Sequence, residues 1–149
     1  MVIWHWWVLV IASVGILANA KAACNGNWAQ TGGGCYWFST NTATFHEAFT
    51  SCFAKKSTLL ELKGKWQEKW IRFQSLLRGY DGVWIGATDL LHEGTYVYPS
   101  SGSKIRYSNW DGNEPAGGRK ENCAVLVPNN GLWNDYPCKT KLHFICVKH

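Results

Sequence analysis

The sequence lacks the short motifs with which many enzymes hold their reacting groups. It has no His-Glu-x-x-His zinc motif, no Gly-x-Ser-x-Gly nucleophile turn and no glycine-rich phosphate loop. The adjacent residues His92 and Glu93, and His143 further along, have no partner motif around them. These absences predict that the protein is not an enzyme.

The charge balance and the absence of repeats exclude further classes of protein. Fifteen Lys and Arg against ten Asp and Glu give a net charge of +5, which mildly favours anionic surfaces but is not the basic stripe of a nucleic-acid-binding protein. The sequence contains no internal repeat, no collagen-like stretch and no heptad neck. No oligomerisation element is therefore visible, and an oligomer would have to form through the surface of the domain itself.

Cysteine usage indicates a disulfide framework. None of the six cysteines forms a Cys-x-x-Cys pair that could begin a tetrahedral zinc site. An even number of cysteines in a chain with secretory features favours disulfides, although six cysteines allow about 15 connectivities. Proximity in the sequence favours the pairs Cys24–Cys35 and Cys123–Cys138, which leaves Cys52–Cys146.

Residues 1–20 are predicted to be a secretory signal peptide. Residues 3–17 form an apolar run that ends at Ala18-Asn19-Ala20, and these small residues fit a signal-peptidase site. The alternative is an uncleaved membrane anchor, but a spanning helix needs about 20 apolar residues, and this run is shorter and has no basic cluster beside it. We therefore expect one secreted, extracellular domain over residues 21–149, with no membrane span after cleavage.

Two helices are expected in the first half of the domain. Thr44 and Glu47 form the pattern of a capping box, and one face of the helix that follows carries Phe45, Ala48, Phe49 and Cys52. His46 is expected on its surface. The second helix has four large apolar residues at helical spacing, predicted to face the core: Trp66, Trp70, Phe73 and Leu77. Glu68 and Arg72 are then expected on its outer face, and Gly79 is expected to end it.

Strands are expected at residues 36–38, 57–62, 83–87, 95–98, 124–127 and 142–147, after a hairpin loop at residues 25–34. Between the later strands, residues 99–103 and 110–118 consist mainly of Gly, Ser, Asn and Pro. A structureless stretch of this length in a compact domain is uncommon and is usually functional.

The long loop carries the candidate site. Glu114 and Glu121 lie within the segment 110–123, and Asn134 and Asp135 follow in Trp133-Asn-Asp135. Carboxylate and amide oxygens of this kind are the ligands that calcium prefers. The sequence therefore predicts a calcium site in glycine-rich loops beside a cysteine pair.

Taken together, the motifs resemble those of the C-type lectin domain over residues 24–149. They are Phe45-x-x-Ala48-x-x-x-Cys52, Trp84-Ile-Gly-Ala87, Thr88-Asp89, Glu93-Gly94, Ser108-Asn-Trp110, Glu114-Pro115, Glu121-Asn-Cys123 and Trp133-Asn-Asp135. The resemblance implies an α+β fold with two helices, two small antiparallel sheets and a long calcium- and sugar-binding loop region. It also implies three disulfides, in the connectivity given above.

The resemblance implies a principal calcium ion held by side chains at positions 114, 116, 121, 134 and 135. Glu114, Glu121, Asn134 and Asp135 would also hydrogen-bond two adjacent sugar hydroxyls, and the Glu114–Pro115 peptide would be cis. Glu rather than Gln at position 114 is typical of mannose-, glucose- and fucose-binding members. Position 116 is Ala, which has no ligand oxygen, so the site is expected to be weakened but able to take water as a ligand.

A second calcium ion in some members would be held here by Asp89, Glu93, Glu121 and Asn122, and its remaining position, 117, is Gly. Arg119 and Lys120 lie just before Glu121, where their charge opposes a cation and favours an anionic ligand such as a sulfated or uronic sugar. They could also be two solvated loop residues.

The resemblance therefore implies a secreted, calcium-dependent lectin. Its partners would be mannose-, glucose- or fucose-type glycans on microbial or cell surfaces, as in pattern recognition by innate immunity. The alternative is a lectin-fold module that works without calcium and binds a protein, an anionic polysaccharide or a mineral surface, because a fold does not by itself decide function.

Overall fold

The computed structural model describes residues 24–149, so the predicted signal peptide lies outside the described residues. Two helices, α1 (Phe45–Ala54) and α2 (Lys65–Leu77), are surrounded by nine short strands. The strands are β1 (Ala29–Thr31), β2 (Gly34–Phe38), β3 (Thr58–Leu59), β4 (Val83–Thr88), β5 (Val97–Tyr98), β6 (Ser103–Lys104), β7 (Cys123–Val127), β8 (Leu132–Tyr136) and β9 (His143–Lys148). A short 3₁₀ helix, Gly118–Lys120, precedes β7. Among the described residues, no helix is long and apolar enough to cross a membrane.

Helix α1 begins at the predicted capping box. The Thr44 side chain accepts a hydrogen bond from the Glu47 amide at 3.3 Å, and the Glu47 carboxylate accepts one from the Thr44 amide at 2.9 Å. Each side chain thereby satisfies a backbone donor that the first turn of a helix leaves free. The predicted face is buried through Phe45, Ala48 and Cys52, and His46 is exposed as expected.

Helix α2 is rotated relative to the sequence prediction. Its buried residues are Glu68, Ile71 and Ser75. Three residues that were predicted to be core are instead largely exposed: Trp66, Phe73 and Leu77. The prediction was wrong because it placed the large apolar side chains inside and the acid outside. Glu68 instead finds buried hydrogen-bond donors, which outweigh the general preference of carboxylates for water.

Three other predictions about α2 have mixed outcomes. Trp70 is half-buried, and its ring packs on Tyr36 with centroids 5.0 Å apart. Arg72 does not pair with Glu68 on an outer face, since its guanidinium donates to the carbonyls of Pro128 and Asn129 at 2.7 and 2.8 Å. Gly79 follows the end of the helix with a positive φ of 69°, as expected for a glycine that stops a helix.

The strands form two antiparallel groups that meet at β9. In the first group β9 lies between β2 and β3, and β1 forms a hairpin with β2. In the second group β4 pairs with β5 and β7, β5 with β6, and β7 with β8. A short parallel ladder between β4 and β9 joins the groups. Two helices, antiparallel strands and a long loop between β6 and β7 confirm the predicted fold class.

Several strand predictions differ from the structure. Strand β1 lies in the predicted hairpin loop, β6 was not predicted, and the strand expected at residues 95–98 is reduced to β5. The strand expected at residues 57–62 is reduced to β3. Beyond it, the Leu60 amide still donates to the Ile145 carbonyl of β9 at 2.9 Å, but the Leu60 carbonyl accepts from the amide of Gly86 at 2.7 Å. Strand β8 was not predicted, because Asn134 and Asp135 are residue types depleted from strands. Pairing along the whole length of β7 overrides that local preference.

The core and the disulfides lie where these elements meet. Trp84 on β4 and Trp133 on β8 are fully buried. The three disulfides pair as predicted, Cys24–Cys35, Cys52–Cys146 and Cys123–Cys138. The second bridge ties α1 to β9 across 94 residues, and closing a loop of this length stabilises a fold by about 4–5 kcal/mol in the chain-entropy model.

Candidate functional site

The long loop is fastened to β8 beside the candidate ligands. The amide of Trp133 donates to the carbonyl of Asn109 at 2.8 Å, and the amide of Asp111 donates to the carbonyl of Trp133 at 2.9 Å. Trp110 and Trp133 therefore lie side by side in an isolated parallel bridge. This pairing brings the part of the loop that carries Glu114 next to the strand that carries Asn134 and Asp135.

A buried carboxylate stabilises this junction by accepting hydrogen bonds from the residues that form it. Glu68 of α2 is 4% exposed and accepts hydrogen bonds from Trp133 Nε1 at 2.6 Å, Asn109 Nδ2 at 2.8 Å and Tyr107 Oη at 3.1 Å. Burial, together with the charge of Glu68, raises the pKa of Tyr107 to about 12, so its hydroxyl stays a donor. Sequence reasoning missed this role because Glu68 was assigned to the outer face of α2.

Glu114 and Asp135 lie close together, because both carboxylates accept from the same backbone amide. The Ala116 amide donates to Glu114 Oε2 at 3.0 Å and to Asp135 Oδ1 at 3.3 Å, and the Gly117 amide donates to Asp135 Oδ2 at 3.0 Å. A side-chain hydrogen bond with Asp135 is the main cause that raises the pKa of Glu114, and burial and the charge of Glu121 act in the same direction. The Glu114–Pro115 peptide is cis, as expected.

Asn134 presents an unused oxygen at the same strand. Its Oδ1 atom is buried and accepts no hydrogen bond. A buried polar atom without a partner is unfavourable by about 1–3 kcal/mol, and an incoming cation or hydroxyl group would remove that penalty. The donor chemistry at Glu114, Asn134 and Asp135 therefore fits an ion such as calcium, which prefers carboxylate and amide oxygens.

Glu121 lies against Gly117, the position without a side chain. A Cβ atom built on Gly117 would come within 2.1 Å of Glu121 Oε2 and 2.2 Å of Glu121 Cβ. Gly117 has a φ of −72°, which any residue can adopt, so glycine is required here by space rather than by backbone conformation. The Glu121 side chain thus occupies the volume in which the resemblance implies a further calcium ligand.

The residues predicted for a second calcium ion, Asp89, Glu93 and Asn122, lie around the start of the β4–β5 connection and are here called the second region. Asp89 is 3% exposed; its Oδ2 accepts from the Gly94 amide at 2.8 Å, and its Oδ1 has no partner. Glu93 is exposed, and Asn122 directs its amide to the Arg119 carbonyl at 3.1 Å. The free Asp89 oxygen fits a cation, and the bond to Arg119 uses only the nitrogen of the Asn122 amide.

Tyr96 connects the two regions and was not identified from the sequence. Its side chain is 5% exposed and its hydroxyl is buried without a partner. Burial is the main cause that raises its pKa, and the charges of four carboxylates add to the shift: Asp89, Asp135, Glu93 and Glu114. The alternation of buried residues in 95–98 was the available signal, since Tyr96 and Tyr98 share the inner face of that strand.

The remaining predicted residues are on the surface. Ala116, Arg119 and Lys120 are exposed, and the two cations lie in the 3₁₀ helix directly before Glu121. Within residues 24–149, no three His, Cys, Asp or Glu side chains converge on one point that could hold a metal ion. The candidate site at Glu114, Asn134 and Asp135 is here called the principal region. Its two carboxylates meet as a pair, and the Glu121 side chain packs against Gly117.

This combination of fold and site defines a class of protein. A disulfide-linked two-helix α+β domain with an acidic loop docked beside a Trp-Asn-Asp strand is the arrangement of a carbohydrate-recognition domain. The sequence matches the Lectin C-type domain over residues 41–148. The chain belongs to the C-type lectin family, whose members are not enzymes, and this membership confirms the family and the non-enzymatic class expected from the sequence.

Curated relatives support the assignment. The chain is 38% identical to perlucin of Haliotis laevigata over 119 residues, which cover 76% of each chain. It is 36% identical to tetranectin of Homo sapiens over 118 residues, which cover 75% of this chain and 58% of tetranectin. It is 31% identical to asialoglycoprotein receptor 2 of Rattus norvegicus over 139 residues, which cover 89% of this chain and 44% of the receptor. The chain thus spans less than two thirds of the last two relatives.

Solved structures agree with the fold. The carbohydrate-recognition domain of the mouse scavenger receptor C-type lectin superposes with a TM-score of 0.78 at 32% identity, covering 85% of this chain and 96% of that domain. A calcium-independent type II antifreeze protein superposes with a TM-score of 0.75 at 21% identity, covering 85% of this chain and 94% of the antifreeze protein. The second likeness shows the shared fold alone.

Proposed function

We propose that this protein is a secreted lectin that binds glycans through a weakened calcium site formed by Glu114, Glu121, Asn134 and Asp135. The observation that carries the proposal is that Glu114 and Asp135 share the Ala116 amide as a donor, while the buried Oδ1 atom of the adjacent residue Asn134 has no partner. Two adjacent carboxylates repel each other unless a proton or a cation lies between them. A calcium ion, when bound, supplies that positive charge and ligates two adjacent sugar hydroxyls.

The side chains themselves set the sugar class that we propose. Glu114 and Asp135 are acceptors for sugar hydroxyls, and the Asn134 amide group adds a donor and an acceptor. Glu at position 114 is typical of the mannose-, glucose- and fucose-binding members that the sequence resembles, and this resemblance favours sugars with vicinal equatorial hydroxyls. Ala116 offers no side-chain contact, and we expect the affinity of a single site to be low, so binding to a surface that displays many glycans would depend on avidity.

The experiment that tests this proposal is a glycan array with the purified, disulfide-bonded protein in millimolar calcium and again in EDTA. We expect mannose- or fucose-type spots that appear in calcium and disappear in EDTA. Glu121→Ala should abolish these spots, whereas Asp81→Ala, at an exposed acid outside the loop, should leave them unchanged. Unchanged glycan binding by Glu121→Ala would disprove the assignment of this residue and the calcium site with it.

A second candidate is a lectin-fold module that works without calcium. It is favoured by the backbone amides of Ala116 and Gly117, which already satisfy the Asp135 carboxylate without an ion. The exposed Arg119 and Lys120 would then contact an anionic polysaccharide. Binding that persists in EDTA, follows acidic sugars and is weakened by Arg119→Ala and Lys120→Ala would select this candidate over the first.

The proposal also includes the extracellular location. Three disulfides in the described residues are typical of proteins that fold in an oxidising compartment, and residues 1–20 have the composition of a signal peptide. Amino-terminal sequencing of the protein from culture medium tests both points. A secreted product that begins at residue 21 is the expected result, and retention in the cell membrane would contradict it.

A further inference from the structure

Helix α2 exposes large apolar side chains on its outermost face. The exposed fraction is 82% for Trp66, 56% for Phe73, 44% for Leu76 and 66% for Leu77. A Trp and a Phe this exposed on one short helix are uncommon, because burying such side chains is favourable. These four side chains, with Lys69 between Trp66 and Phe73, are here called the outer face of α2, and exposed apolar surfaces of this kind mark interaction sites.

The outer face is centred opposite the buried face of the same helix. Successive residues rotate by about 100° around a helix axis, so Trp66, Phe73 and Leu77 lie within one narrow sector. The buried residues Glu68 and Ile71 lie on the other side. The apolar sector therefore points out from the domain, whereas a surface helix normally turns mainly polar residues to water.

The charges around this face have one sign. Lys65 and Lys69 are exposed beside the apolar side chains, and Lys69 Nζ lies over the Trp66 ring, 5.1 Å from its centre. The helix contains one acidic residue, Glu68, which is buried. The outer face thus offers Trp, Phe and Leu together with cations and presents no carboxylate from the helix itself.

We propose that the outer face of α2 is a docking surface for an anionic lipid bilayer. A helix that lies at a bilayer surface inserts Trp, Phe and Leu into the boundary of the acyl chains, while Lys and Arg contact the headgroups. Trp suits this boundary because its ring is apolar and its N–H is polar. The apolar side chains protrude from a convex helix, which suits insertion into a deformable surface.

A second copy of the chain fits this face less well. If two copies packed through their outer faces, each would bring the exposed cations Lys65 and Lys69 into the interface. No carboxylate on either helix is exposed to balance them. The charge complementarity therefore favours an anionic surface over self-association.

Docking through this face leaves the sugar site free. Glu68, on the inner side of α2, contacts Trp133, the residue before Asn134 and Asp135. The outer face points in the opposite direction from that contact. The lipid proposal is therefore independent of calcium and of the glycan proposal, and either one can fail without the other.

The test is vesicle co-sedimentation in EDTA with the purified, disulfide-bonded protein. Vesicles of phosphatidylcholine alone are compared with vesicles that also contain phosphatidylserine. We expect binding to the mixed vesicles and little binding to phosphatidylcholine alone, with tryptophan fluorescence quenched by brominated lipid. Equal partition into both kinds of vesicle, or no binding to either, would overturn the proposal.

Matched variants locate the contact. The double variant Trp66→Ser, Phe73→Ser should weaken binding on the order of 100-fold, since two buried aromatic contacts are lost. Lys65→Glu with Lys69→Glu should weaken it by about tenfold or more, because each basic residue strengthens attachment to an anionic bilayer. The control is Phe53→Ser, which removes an aromatic side chain that is 73% exposed on α1 and should leave vesicle binding unchanged.

A concentration series in sedimentation equilibrium separates lipid docking from self-association. A monomer at all concentrations is expected. A dimer that is lost in the Trp66→Ser, Phe73→Ser variant would assign the outer face to a second copy and overturn the lipid proposal. A normal circular dichroism spectrum for each variant ensures that lost binding is not lost folding.

Discussion

The two acidic regions of the loop surface differ in what is missing from each. In the principal region Glu114 and Asp135 share one donor, the Ala116 amide, and the side-chain position of Ala116 is open to solvent. In the second region Asp89 keeps a buried, unpaired oxygen, and the gap at Gly117 is filled by Glu121. Position 116 is exposed, whereas the space beside position 117 is occupied by the Glu121 side chain, so the two regions should respond differently to the same kind of substitution.

The largest effect on stability is expected from replacing Glu68, which accepts hydrogen bonds next to the principal region. We expect Glu68→Leu to lower the free energy of unfolding by about 3 kcal/mol or more, since Trp133, Asn109 and Tyr107 would each lose a buried acceptor. Urea denaturation measures the loss. Glu68→Gln is the matched control and should be milder, because its carbonyl oxygen can still accept from Trp133. An equal loss in both variants would contradict a hydrogen-bonding role for Glu68.

Filling position 117 tests the second region. Gly117→Asp should destabilise the fold by about 1–3 kcal/mol, as expected for overpacking, because the new Cβ would overlap Glu121. Thermal unfolding in EDTA measures this effect. Gly112→Ala is the control, as nothing lies within 4 Å of its added Cβ, and it should be nearly neutral. A stable Gly117→Asp protein with tighter calcium binding would show that Glu121 moves aside freely.

Filling position 116 should have the opposite outcome. Ala116→Asn adds an oxygen ligand at an exposed position, and we expect it to tighten calcium binding by about tenfold, which corresponds to 1.4 kcal/mol. Isothermal titration of calcium measures the affinity, and mannose binding should rise in parallel. If the affinity does not change, the principal region lacks more than the side chain at position 116.

The smallest effect is expected at Tyr96, between the two regions. Its hydroxyl is buried without a partner, so Tyr96→Phe in EDTA should change stability by less than about 1 kcal/mol and could raise it. Tyr98→Phe is the matched comparison, since the Tyr98 hydroxyl donates to the Leu62 carbonyl at 3.0 Å and its loss should destabilise by about 1 kcal/mol. Equal losses measured by chemical denaturation would mean that Tyr96 has a partner in solution.

Much of the fold could be read from the sequence because its signals are local. The capping box of α1, the glycine after α2 and the close cysteine pairs each depend on residues near one another in the chain. Helical spacing identified α2 but not the side that is buried, since both of its sides carry large apolar residues and the buried side carries Glu68. That choice depends on Trp133 and Asn109, about 40 or more residues away.

The candidate site was predictable in composition and less so in geometry. The oxygen-bearing residues could be named from their types and spacing, and Glu114 and Asp135 do lie together. The place of Glu121 over Gly117 depends on how the 3₁₀ helix turns, and the burial of Tyr96 depends on packing against Trp110, with ring centres 4.8 Å apart. Neither relation is visible in the order of residues alone.

The contact between Glu121 and Gly117 also makes positions 116 and 117 unequal as targets for engineering the site. A larger side chain at position 116 would extend from an exposed position, so it can be introduced by one substitution on its own. A side chain at position 117 would meet the Cβ atom of Glu121 at 2.2 Å, so it requires a shift or a second substitution at Glu121. Adding an oxygen donor is therefore a one-residue change at position 116 and an epistatic, two-residue change at position 117.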